Sequence, residues 1–155
     1  MGANTLNQPA PSPNASKANA YLRTRVMTAS QEELRLLLLE GAVRFLRQGI
    51  EGLEARDYER SYNGISQCRA IVTELLTSVR PDLAPDLVEQ IRSLYSFFYT
   101  ELVDASFQRD AARLRKVLDL LEFERETWTL AMEKARRERG SSSDTRDRTP
   151  VETRA

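Results

Sequence analysis

Histidine is missing from all 155 residues of the chain. Its absence removes the commonest general base, the commonest metal ligand and every Ser–His or Cys–His nucleophile arrangement. Cysteine occurs once, as Cys68, so neither an internal disulfide nor a multi-thiolate metal site can form. A single reduced thiol fits a cytosolic protein. Charge of one sign is also lacking, because 23 Lys and Arg are balanced by 23 Asp and Glu. A net charge of zero supplies no long-range attraction to nucleic acid or to an anionic membrane. No apolar run approaches the roughly 20 residues of a membrane span. No basic-then-apolar leader opens the chain, so the expected location is the cytoplasm. Six Gly and six Pro lie mostly near the ends or at turns, which suits long helices.

What the chain does have is concentrated in Met27–Glu40, MTASQEELRLLLLE. Ser30-Gln31-Glu32-Glu33 reads as a capping box, in which the Ser30 hydroxyl accepts from the Glu33 N–H and the Glu33 carboxylate reaches back. Leu34 and the run Leu36-Leu37-Leu38-Leu39 follow directly. A helix that buries one face needs apolar residues at steps of three and four. Four consecutive leucines put apolar surface on every side, and the surplus needs a cover.

The hydrophobic pattern divides the chain. Residues 1–20, rich in Asn, Pro, Ala and Ser, have almost nothing to bury and are expected to form a disordered arm. Tyr21, Leu22, Val26 and Met27 then form a short apolar segment ahead of the cap. A first long helix is expected from Gln31 to Ala55. Its core face is read as Leu34, Leu38, Gly41, Ala42, Phe45, Leu46, Gly49 and Leu53, with Leu36, Leu39, Val43 and Ile50 as a second, surplus stripe. Asp57 caps a second helix that runs to Ser78, in which Ile65, Cys68, Val72 and Leu75 recur near a 3.5-residue period and imply left-handed packing. Pro85 opens a third helix that runs to Phe107, with Ile91, Leu94, Tyr95, Phe98 and Leu102 on its core face. Asp110 caps a fourth, with Leu114, Val117, Leu121 and Trp128 inward and Arg125 set to pair with Glu101 or Asp104. The pattern stops near Arg136, and residues 138–155 read as a disordered, solvated tail. The expectation is therefore an all-α fold. It is an antiparallel up-down four-helix bundle spanning 21–137, with an N-terminal capping segment and a disordered tail at each end.

Nothing in this pattern makes an enzyme. Di-metal sites in bundles need Glu-x-x-His on facing helices, and neither GxxxxGK[ST] nor GxGxxG is present. Glu32-Glu33 and Glu122, Glu124 and Glu126 fall at a helix start or on exposed faces. No catalytic residue, cofactor or metal is expected. A generic helical-bundle protein for oligomerisation or adaptor work would account for the surplus leucines by self-pairing.

A more specific reading comes from residue order. Ala20-Tyr21, Val26, Thr28-Ala29-Ser30, Leu34, Leu38 and Gly41 are followed by Phe45, Asp57 and Ile71-Val72-Thr73-Glu74-Leu75. Then come YSFFYTELVDA from Tyr95 to Ala105, Asp110, and Arg125 with Trp128. Over about Ala20 to Ala135 this resembles the flagellar secretion chaperone FliS family. The chain departs from that family's usual residues at Gln31, Leu39, Tyr62 and Arg69. The resemblance implies a cytosolic export chaperone. Such a protein binds the disordered C-terminal segment of flagellin, prevents premature polymerisation, and keeps the subunit fit for flagellar type III secretion. It implies flagellin contacts at Leu36, Leu39, Val43, Tyr62 and Ile71, and an N-terminal cap at Tyr21 and Val26. The implied partners are the flagellin C-terminal region and the flagellar export apparatus, with no nucleic acid and no membrane. The implied state is a monomer or weak homodimer.

Overall fold

The computed structural model of the protein describes residues 12–80, 82 and 84–146. All regular structure among them is helical: α1 (Pro13–Thr28), α2 (Gln31–Glu54), α3 (Tyr58–Thr77), α4 (Pro85–Phe107) and α5 (Ala111–Arg146). None of these helices is long and apolar enough to cross a membrane. The chain divides into two compact units, one ending at Leu34 and one starting at Arg35.

In the first unit, the Ser12 hydroxyl accepts from the Ala15 N–H at 3.3 Å and Pro13 occupies the first turn of α1. The arm expected to extend to residue 20 is thus helical from Pro13, and its first eleven residues lie outside those described. Pro at the start presets φ, and the alanines that follow have the highest helix propensity. No residue of α1 is buried. The capping box at the start of α2 forms as the sequence requires. The Ser30 N–H donates to Glu33 Oε2 at 2.9 Å, and the Glu33 N–H donates to Ser30 Oγ at 3.2 Å.

In the second unit one hydrophobic core draws on α2, α3, α4 and α5. Leu39, Val43, Leu46 and Ile50 meet Ile65, Cys68, Val72 and Leu75 from α3, Tyr95, Phe98 and Leu102 from α4, and Leu114, Val117 and Leu121 from α5. Leu39, Val43 and Ile50 of the stripe regarded as surplus are therefore in the core, together with Ala42 and Leu46 of the expected core face, while Leu34 is exposed. The reason is set by α3. Gly41, Gly49 and Gly52 give α2 a flat side, and α3 packs flush against it. The line joining Leu39 to Ile50 is then turned into the centre.

That flat contact is unusually close. An added Cβ on Gly64 would stand 2.6 Å from both the Gly49 nitrogen and the Phe45 carbonyl oxygen. One on Gly52 would stand 2.6 Å from the Ser61 nitrogen. These pairings run in opposite senses along the two helices, so α2 and α3 are antiparallel. Ion pairs from Arg113 to Glu101 and a hydrogen bond from Tyr95 to Glu124 set α4 antiparallel to α5 in the same way.

Two turns share one device. Arg56 and Arg109 both adopt positive φ, 57° and 53°. The next residue donates its N–H back across the helix end, Asp57 to Gly52 O and Asp110 to Ala105 O, both at 2.8 Å. This is the Schellman closure. Asp57 and Asp110 then cap α3 and α5, each accepting at 3.1 Å from the N–H three residues on. Arginine in the left-handed region costs about 1 kcal/mol that glycine avoids. Exposed Arg56 should therefore give a more stable protein when changed to glycine, by about 0.5–1 kcal/mol after the entropy glycine adds to the unfolded chain. A thermal melt of Arg56→Gly reads this directly.

The α5 helix continues through Arg146, beyond the expected end of order near 137; residues 147–155 lie outside those described. Residues 133–139 are Glu, Lys, Ala and Arg, which hold a helix by propensity without a buried face; Gly140 and the three serines after it are poor helix formers, and there the Ser142 and Ser143 hydroxyls donate to the Glu138 and Gly140 carbonyls. Arg125 does not take Glu101, which pairs with Arg113 through Nε at 3.1 Å and Nη2 at 2.6 Å.

Two buried groups ionise late. Cys68 is fully buried, and desolvation pushes its thiol from 9.0 up to about 12. Tyr95 accepts from Arg35 Nη2 at 3.0 Å and donates to Glu124 Oε2 at 3.2 Å, and burial raises its phenol from 10.0 to about 12. Both folded values lie above the unfolded ones. The stability these groups contribute is complete below pH 9 and is lost as pH rises toward 12. Each group steepens the loss by about 1.4 kcal/mol per pH unit across its window. Denaturant midpoints of Cys68→Ala between pH 9 and 12 should fall less steeply than those of the wild-type chain.

Candidate functional site

The outward seam between α3 and α4 leaves aromatic surface open. On α3, Tyr58, Tyr62, Ser66, Arg69 and Thr73 recur at steps of three and four and share one side. On α4, Ser96, Tyr99, Val103 and Ser106 do the same. Two cation–aromatic contacts bring the sides together. The Arg109 guanidinium lies 3.9 Å from the Tyr58 ring centroid, and the Arg69 guanidinium 5.9 Å from that of Tyr99. Tyr62 stands between these clamps and is 65% exposed. Phe107, at the Tyr58 end of α4, is 90% exposed. No acidic residue occupies any of these seam positions.

The electrostatics of the groove are one-sided. Arg69 Nε is sealed from solvent and has no hydrogen-bond acceptor. A buried donor without an acceptor costs about 1–3 kcal/mol. Turning the Arg69 side chain outward would bring this donor within reach of a backbone carbonyl or a carboxylate of a chain laid in the groove, and that bond would recover the cost. The tyrosines offer broad apolar faces with polar tips, the composition found where an apolar guest must be held and released. The groove can bind an apolar segment with acceptor groups.

The structure separates the residues expected to touch flagellin. Leu39 and Val43 are core residues at 0% and 1% exposure, so neither can meet a bound chain while the unit is folded. This corrects the sequence expectation, and the cause is the inward turn of their stripe. Ile71 is half-buried against Gly41, 3.2 Å from an added Cβ there, on the α2/α3 side. Leu36 is half-buried and lies three helical turns before Arg47, whose partner is Glu122, so it faces the α5 side. Tyr62 alone of the five opens on the α3/α4 groove. Tyr21 and Val26 are exposed on α1 with Leu22 and Met27. Arg69, Tyr99 and Arg109 were missed as site residues. Their pairing depends on the register of α3 against α4, although the departure from the family at Tyr62 and Arg69 marked the place.

A second depression is open and polar, about 260 Å³, lined by Gln48, Asp57, Glu59, Arg60, Asn63, Gly64 and Gln67. Its lining is mostly polar. Among the described residues no group of His, Cys, Asp or Glu is placed to hold a metal ion.

Comparison with known proteins bears on the family of the chain. A curated relative, the flagellar secretion chaperone FliS of Bacillus subtilis (strain 168), is 28% identical over 123 residues, covering 79% of this chain and 91% of that protein. A solved structure described as a flagellar chaperone from bacteria superposes with a TM-score of 0.63 at 17% identity, covering 79% of this chain and 99% of that one. That likeness speaks for the fold. Residues 14–135 match the family described as flagellar protein FliS, a span from the first turn of α1 into the last third of α5, and the chain belongs to that family.

Proposed function

We propose that this protein is a flagellar export chaperone that receives the C-terminal segment of flagellin in the α3/α4 groove. Family membership and the description of the Bacillus subtilis relative support the class of activity. The observation that carries the site is the buried, acceptor-less Arg69 Nε on the same side of α3 as exposed Tyr62, two turns away. In this reading α2 to α5 act as an antiparallel up-down four-helix bundle and α1 is its removable cap. Tyr21 and Val26 of α1 shield the groove when it is empty. The guest segment is unstructured before it binds and orders on the groove. It is then held back from polymerising and stays competent for the flagellar export apparatus. Ordering the guest consumes part of the contact energy, which keeps the complex releasable. The protein works in the cytoplasm, as a monomer or weak homodimer, and performs no catalysis.

Calorimetric titration with flagellin tests this. Wild-type protein should bind full-length flagellin and lose that binding when the C-terminal segment is removed. The double variant Tyr21→Ser/Val26→Ser should bind the segment about 3–10-fold tighter, because a competing cap raises the apparent dissociation constant. Equal binding of truncated and full-length flagellin overturns the assignment.

A further inference from the structure

We propose that the α3/α4 groove selects its guest by charge as well as by apolar shape. The segment it takes carries an Asp or Glu about 10 Å beyond an apolar anchor, seven residues on in a helical guest, and Arg69 and Arg92 hold that carboxylate. This rests on the groove being the seat of the flagellin segment. Two contacts fix the register: Arg109 lies over the Tyr58 ring, and Arg69 over that of Tyr99. Helices α3 and α4 are therefore antiparallel, and facing positions fall on α4 as they rise on α3. Tyr62 leads to Arg69 along α3, and Tyr99 leads to Arg92 along α4, each by seven residues and in the same direction down the groove. A step of seven stays on one side of a helix. The groove thus has two halves. Tyr58, Tyr62 and Phe107 give one half exposed aromatic surface. Arg69 and Arg92 occupy the other.

Neither of these arginines forms an ion pair with a described residue. Arg69 Nε has no acceptor, and Arg92 is exposed. The acids near this half leave it positive. Asp82 is held by Arg80. Glu74 is five residues from Arg69, a step that puts it on a different side of α3. Glu89 lies one turn beyond Arg92, toward the end of the groove, and is one carboxylate against two guanidiniums. An unpaired guanidinium takes a carboxylate in preference to a neutral acceptor, because the charge-assisted bond is the stronger. Two rival occupants cannot supply one. Helix α1 contains Lys17, Arg23 and Arg25 and no Asp or Glu, so as a cap it offers nothing to the arginine half. A second copy docking by this face would set arginine against arginine. A guest with a carboxylate gains a contact that the cap does not make, and that difference favours the guest over the cap.

Calorimetric titration of the full chain tests the proposal. The probes are the native flagellin C-terminal segment and the same segment with every Asp and Glu changed to Asn and Gln. The wild-type chain should bind the native segment roughly 30-fold tighter than the neutral one. In Arg92→Glu that preference should shrink to roughly threefold, with the melt unchanged because the side chain is exposed. Tyr62→Asp should weaken both segments. Equal binding of the two segments by the wild-type chain overturns the proposal. If Tyr62→Asp still weakens both, the groove remains the guest's seat and charge selection alone is lost. Equal weakening of both segments by Arg92→Glu overturns it by assigning Arg92 to the hold on α1, whose cations the new carboxylate attracts. A concentration-dependent dimer that Arg92→Glu strengthens overturns it in favour of a second copy. If Tyr62→Asp weakens neither segment, the groove reading and the proposal fall together.

Discussion

Gly64→Ala should be among the most damaging single-methyl additions in the protein, with a net loss of about 1–3 kcal/mol of stability. Two terms compete. Alanine in a helix interior is favoured over glycine by about 1 kcal/mol. Against that, the new methyl would stand 2.6 Å from the Gly49 nitrogen and the Phe45 carbonyl oxygen, and 2.8 Å from the Gly49 Cα. All three are backbone atoms of α2, so no side chain can swing aside. The helices must separate, and the core beneath them loosens with Leu46, Ile65 and Cys68. The melting midpoint should fall by roughly 5–10 °C. Gly140→Ala is the control, since nothing lies within 4 Å of a Cβ there. It should raise helicity and leave the midpoint level or higher. A Gly64→Ala midpoint equal to wild type would show that α2 and α3 are not in this contact.

The same glycines explain what could and could not be seen in the sequence beforehand. The capping box at Ser30 and Glu33, the caps at Asp57 and Asp110, and Pro85 at the start of α4 are local signals, and all formed where expected. Cys68 as a small core residue followed from its place in a repeating register. The inner face of α2 did not follow. Leu36 to Leu39 offer apolar surface in every direction, so periodicity cannot choose between Leu34–Leu38 and Leu39–Val43. The choice is made by Gly52 and Gly64, which have no side chain and leave no mark in a hydrophobic pattern. Helix α1 and the far end of α5 were missed for the opposite reason. They bury almost nothing, so a hydrophobic pattern carries no sign of them. Arg56 and Arg109 at positive φ were equally hidden, because turns of this kind are signalled by glycine and these positions hold arginine.

Binding should separate from stability along α3, and the largest functional effect is expected at Tyr62. Tyr62→Asp puts a carboxylate in the middle of the groove where the aromatic face stood. It should weaken binding of the flagellin C-terminal segment by about 100-fold, the scale of a central aromatic anchor. The melt should be unchanged, because the side chain is 65% exposed. Val43→Asp should behave in the reverse way. It places a charge in the core beside Leu46 and Val72 and unfolds the unit, so binding and helicity are lost together. Arg69→Met is the decisive companion. Methionine keeps much of the length and apolar contact of arginine but removes the donor. If Arg69 is present only to hold α3 against Tyr99, this variant loses stability and leaves binding as it was. If its buried Nε is held in reserve for a guest, the variant is at least as stable as wild type, because an unsatisfied donor has gone, while binding weakens by about tenfold. Full-strength binding by both Tyr62→Asp and Arg69→Met would move the site away from α3/α4. Leu36 on the α5 side of α2 would then be the next position to test.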